Sequence, residues 1–128
     1  MDYRSLATKL AIGCMAQLFL SGCQEDRQIL IHNLDGKQIE FSMRGPDGRQ
    51  DGCIWSLSVF EETAAERPVW SAGLDDNAEC RNSVTAPVPP AGYSSEGSLS
   101  FDNARSYVVQ AYGPGFNAAR TFKPSELR

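Results

Sequence analysis

The chain has 128 residues, 41% hydrophobic and 22% charged, with 16 acidic against 12 basic side chains and a formal net charge of −4. That length holds one domain around one small core. Setting aside the first 22 residues, which hold Asp2, Arg4 and Lys9, leaves 15 acidic against 10 basic side chains. No block of Lys and Arg remains to neutralise phosphates, so neither nucleic-acid binding nor charge-driven adsorption to anionic lipid is expected.

Residues 1–9 carry Arg4 and Lys9, residues 10–20 are almost wholly apolar, and Ser21, Gly22 and Cys23 follow. Basic, apolar and small-residue regions in this order are the pattern of a secretory signal. The apolar run is about half the roughly 20 residues that a bilayer-spanning helix needs, and Gln17 interrupts it, so a permanent transmembrane helix is not expected. Leu20-Ser21-Gly22-Cys23 resembles the lipobox of bacterial lipoproteins. The resemblance covers the first 23 residues. It implies diacylglycerol transfer to the Cys23 thiol, cleavage before Cys23 and acylation of the new amine. Small Ser21 and Gly22 let a peptidase approach the backbone beside the lipid, and Leu20 fills an apolar subsite. Cys14, after Ala11-Ile12-Gly13, is a competing site, but it leaves almost no apolar region ahead of the cut. Each buried methylene contributes about 0.8 kcal/mol, so two or three chains hold a protein where one would release it. Gln24 replaces the Asp that retains such proteins in the inner membrane, which implies the outer membrane, facing the periplasm.

Residues 24–28 are a short polar linker, and from there the hydrophobic period is two, with turn residues every eight to twelve positions. Ile29 and Ile31, then Ile39, Phe41 and Met43, predict a hairpin closed by a two-residue turn at Asp35-Gly36. Cys53, Trp55, Leu57 and Val59 fall on one face of the strand expected to be the best core element. Residues 61–68 read as a loop limited by Pro68, and Val69-Trp70 resumes extended structure. Residues 74–79 form an acidic connection, and Val84 marks a short strand. Pro87, Pro89, Pro90 and Gly92 then enforce a long turn, so any strand beside them belongs at a sheet edge. Tyr107, Val109 and Ala111 alternate with Val108 and Tyr112 in a strand apolar on both faces, expected to be central. After Gly113-Pro114-Gly115 the chain returns as a last strand over residues 116–122.

About seven short strands predict an all-β fold, a small two-sheet antiparallel sandwich over residues 29–124 with a tail at 125–128. The late region, with Phe101 six positions before Tyr107 and then Val109, Ala111 and a glycine-rich turn, resembles the late strands of fibronectin type III domains. That resemblance covers about a third of the mature chain. It implies a sandwich with Tyr107 near a strand corner and Trp55 as a buried tryptophan, and it carries over no catalytic residue. An extra hairpin before Trp55, and Phe101 where leucine is usual, depart from it.

In an oxidising compartment, with Cys23 lipidated and Cys14 removed, Cys53 and Cys80 are expected to form one disulfide. A redox pair would instead place its cysteines as C-x-x-C. His32 is the single histidine. No serine stands in a G-x-S-x-G elbow, and a lone histidine cannot make a zinc site, so no catalytic or metal set is expected. Asp47, Asp51, Asp75, Asp76 and Asn77 sit in turns without calcium-loop spacing. Pro114 lacks the N–H a phosphate cradle would use. Most aromatic residues should fill the core, and Trp70 and Tyr93, flanked by Pro and Gly, are expected as the exposed binding surface. The sequence thus predicts a non-enzymatic, lipid-anchored envelope module with no cofactor beyond its covalent lipid. Its partners would be the membrane through the anchor, and an envelope protein or glycan. The alternatives are an inhibitor or adaptor inserting residues 74–79 or 87–95 into an envelope enzyme, and a small carboxylate-dependent hydrolase.

Overall fold

Alternating apolar side chains need a second apolar surface to cover them, and here two sheets supply it for each other. The computed structural model describes residues 27–34, 38–100, 102 and 104–127. Its strands are β1 (Gln28–Asn33), β2 (Ile39–Arg44), β3 (Ser56–Glu61), β4 (Trp70–Leu74), β5 (Ser83–Ala86), β6 (Tyr93–Gly97), β7 (Tyr107–Gly113) and β8 (Phe116–Phe122). They form one sheet ordered β1-β2-β5 and another ordered β6-β4-β3-β7-β8, with every pairing antiparallel. The fold is the expected two-sheet antiparallel sandwich.

The core follows the period-two pattern. Ile29 and Ile31 face inward from β1, Ile39, Phe41 and Met43 from β2, Leu57 and Val59 from β3, and Tyr107, Val109 and Ala111 from β7. The sheets meet where Phe41 sets its ring edge against Phe122, with centroids 5.8 Å apart, and Tyr107 stacks on the same Phe122. Edge-to-face contact is the arrangement ring quadrupoles favour. β7 lies between β3 and β8, and its outward Val108 pairs with Phe60 across the ladder. The Asp102 N–H donates to Tyr107 Oη at 3.0 Å, which puts Tyr107 at a strand corner.

Three details differ from the sequence reading. The β1–β2 register pairs Asn33 with Ile39, and Leu34 N–H donates to Gln38 O, so three residues close the hairpin rather than two. Those residues, Asp35-Gly36 among them, and Phe101 lie outside the described set. There are eight strands: residues 93–95, expected in a protruding loop, belong to β6. Tyr-Ser-Ser-Glu-Gly shows no apolar alternation because an edge strand buries only its first residue here. Both strands flanking the prolines, β5 and β6, are edges, as proline's missing donors require. At the C-terminus, the expected tail begins inside a 3-10 turn, Pro124–Glu126, and Leu127 packs against the core.

The tryptophans exchange roles. Trp70 is 1% exposed and Trp55 is 52% exposed. Trp55 shares the parity of Leu57 and Val59, but it lies in the bend before β3, at the rim of the sheet. Trp70 opens β4 and packs into the core, where its indole N–H donates to Pro87 O at 3.1 Å and so loses nothing by leaving water.

Candidate functional site

Leu20, Ser21, Gly22 and Cys23 lie outside the described residues. What the structure describes is where the chain that follows them joins the fold. Arg27, just before β1, keeps only 10% of its side chain exposed. Its Nη1 donates to Asp51 O at 2.9 Å, and its guanidinium lies 5.3 Å from the centroid of the Phe116 ring. The Asp51 carboxylate stands 3.8 Å away. A buried guanidinium is tolerated only with such partners, a carbonyl, an aromatic face and an opposite charge. The slot depends on Gly52: a Cβ built there would stand 2.9 Å from Nη1. Local sequence gives no sign of this, because Arg27 meets residues 24 and 89 positions away.

The same end of the sandwich is knitted by the Cys53–Cys80 disulfide, with Cα atoms 5.4 Å apart across a sequence separation of 27. Tyr93 lies beside it. Its hydroxyl donates to Ile54 O at 2.7 Å and accepts from Arg81 N–H at 2.9 Å. Tyr93 is therefore a buried brace, 6% exposed, and not the binding surface its Gly and Pro neighbours suggest. Trp70 is likewise core, so neither expected surface aromatic reaches solvent. Among the described residues the exposed aromatics are Trp55 and Tyr112, 52% and 40% exposed. Trp55 N–H donates to Tyr112 O at 2.7 Å, and Leu74 N–H donates to Trp55 O, which fixes this stretch at the rim shared by β3, β4 and β7.

The remaining candidates are dispersed. His32 is exposed on β1 opposite Glu40. Asp47 closes its own turn by accepting from Arg49 N–H, and Asp75 accepts from the Ser94 hydroxyl. Glu61 pairs with Arg105 at 2.8 Å beside an open depression. Ser42 is buried, at 1% exposure, and among the described residues no group of three or more His, Cys, Asp or Glu is placed to hold a metal. On the outer face of the five-stranded sheet, Ser56, Ser58, Ser71, Ser94 and Glu96 line a shallow trough of about 450 Å³. The trough is open, and the Ser94 hydroxyl on its wall donates to the Asp75 carboxylate. Comparisons with protein-family models, with curated proteins and with solved structures gave no match, so the sandwich stands on its own geometry.

Proposed function

We propose that this protein is a lipid-anchored, non-enzymatic binding module of the bacterial envelope, held through Cys23 and facing the periplasm from the outer membrane. The observation that carries the reading is the Cys53–Cys80 bond in a chain that opens on an export signal and a lipobox. Disulfides persist where the envelope is oxidising, and a lipobox acts only on exported chains, so the two features point to one compartment. The short linker and the burial of Arg27 add that the sandwich stays close to whatever holds Cys23. An inhibitory loop has less support. Residues 93–95 lie in β6, Asp75 N–H donates to Gly92 O, and Cys80 is bonded to Cys53, so both candidate loops are drawn into the fold.

The test is the full chain expressed in a Gram-negative host with labelled palmitate. The wild type should incorporate label and remain with the outer membrane after a high-salt wash. Cys23→Ala should lose the label and accumulate as an unprocessed precursor. Normal processing and salt-resistant membrane retention of Cys23→Ala would overturn the reading. Crosslinking in intact envelopes would then identify the partner, protein or glycan.

A further inference from the structure

A short tether dictates which side of a domain meets the surface it is tied to. Four residue steps separate Cys23 from Arg27, a covalent reach of about 14 Å at full extension. Arg27 is fixed in the fold by Asp51 O and Phe116, so the end of the sandwich carrying those residues is the one within reach of the lipid.

That end can be read from the registers. Gln28 pairs with Arg44, Ser56 with both Gly73 and Tyr112, and Gly113 with Phe116. The start of β1, the end of β2, the start of β3, the end of β7 and the start of β8 therefore share one rim. Trp55 projects from it, four positions beyond the Asp51 carbonyl that binds Arg27. The other strongly exposed apolar residues, Leu34 and Val88, follow the far ends of β1 and β5. β1 has six residues and separates Leu34 from the tether by roughly 20 Å.

An indole combines an apolar body with one N–H donor, the chemistry that places tryptophan at the boundary between headgroups and acyl chains. The charges on this rim are mixed. Exposed Arg44, Arg49 and Arg81 stand among exposed Asp47, Asp51, Asp75, Asp76 and Glu79, and Arg49 is 3.7 Å from Asp47. Such a surface has no net positive charge to seek an anionic membrane, and its two signs together suit zwitterionic headgroups.

The geometry points to Trp55 as a second membrane contact: an interfacial side chain that seats the tethered rim of the sandwich on the zwitterionic lipid surface beside the Cys23 anchor. This rests on the lipoprotein reading above. One foot on lipid and one lipid chain-bearing residue about a rim apart fix orientation as well as distance. The far end, with residues 62–69, 98–100 and 104–106, then faces away from the bilayer.

The two tryptophans make the experiment direct, because Trp70 is buried in the core and Trp55 is not. The full chain, purified with its lipid and its mass checked, is reconstituted into phosphatidylcholine vesicles with acyl chains brominated near the headgroup or unbrominated. Trp55 emission, taken as wild type minus Trp55→Phe, should shift to the blue on reconstitution and be quenched by the brominated lipid. The Trp70 emission left in Trp55→Phe should change in neither lipid. If the lipidated protein floats with the vesicles while Trp55 keeps an aqueous emission and ignores bromine, the inference is overturned and the anchor reading survives. Trp55 would then belong to a protein or glycan contact. If the full chain carries no lipid, or does not float, the anchor reading fails and takes the inference with it.

Discussion

Replacing both Cys53 and Cys80 with alanine should remove about 3.5 kcal/mol of stability, the loop-closure entropy for a sequence separation of 27. The figure belongs mainly to the unfolded chain, because little native contact is lost: Cys80 is exposed and Cys53 is half-buried. The braces on either side of the bond, Tyr93 Oη to Ile54 O and Arg81 N–H to Tyr93 Oη, remain in the variant. A domain of this size holds roughly 5–15 kcal/mol in total, so the loss is a large fraction but leaves a folded protein. Urea titration followed by tryptophan fluorescence measures it directly. The midpoint should fall, and the denaturant slope should rise because the uncrosslinked chain exposes more surface on unfolding. The melting temperature should drop by roughly 15 °C. Two results would refute the reasoning. A loss under about 1 kcal/mol would mean the unfolded chain is not held open by losing the bond. A large loss with an unchanged slope would mean the bond acts on the native state instead.

Trp70→Phe should cost about 2–4 kcal/mol, from the cavity left by the smaller ring and the Pro87 carbonyl left without its donor, while Trp55→Phe should stay within about 0.5 kcal/mol. Comparable midpoint shifts in urea would show that the assignment of core and rim tryptophan is mistaken. Gly113→Ala should destabilise by roughly 1–3 kcal/mol or more, since its methyl would overlap the Cys53 carbonyl and the Phe116 ring where β7 turns into β8. The same titration checks it, and a neutral result would mean that the β7–β8 turn does not press against Cys53 as described.

What the sequence disclosed and what it withheld follow one physical division. Alternation in Ile29 and Ile31, in Ile39, Phe41 and Met43, and in Tyr107, Val109 and Ala111 reports a strand with one face buried, because each such position answers to its own strand. The disulfide was legible because setting Cys14 and Cys23 aside leaves two cysteines, Cys53 and Cys80, and two have one pairing. Parity does not say where a strand begins or where the covering sheet ends, so Trp55 continues the alternation of Leu57 and Val59 and still emerges at the rim. Trp70 and Tyr93 look exposed beside Pro and Gly, yet each is buried with its polar atom bonded to a carbonyl distant in sequence. β6 needs little burial as an edge strand, so it leaves almost no trace in the sequence. Arg27 is hidden altogether, since its slot is built from Gly52 and Phe116, brought together only by the fold.

β1 is a sheet edge, and an edge strand held only on one side is where a sheet would fray or accept a foreign strand. β1 pairs with β2 alone in its ladder, but β8 of the opposite sheet runs alongside it. Arg120 on β8 donates from Nη1 to Ile29 O at 2.9 Å, so a carbonyl facing away from β2 is occupied by a charged donor 91 positions later in the chain. Arg27 makes a second such bond, from its own side chain to Asp51 O, two residues before Ile29. Charge-assisted bonds of this kind are stronger than the neutral ladder bonds they replace. Together they hold the start of β1 to β8 on one side and to the β2–β3 connection on the other. The arginines thus protect this edge strand: the fold closes its exposed side with side chains where backbone pairing stops.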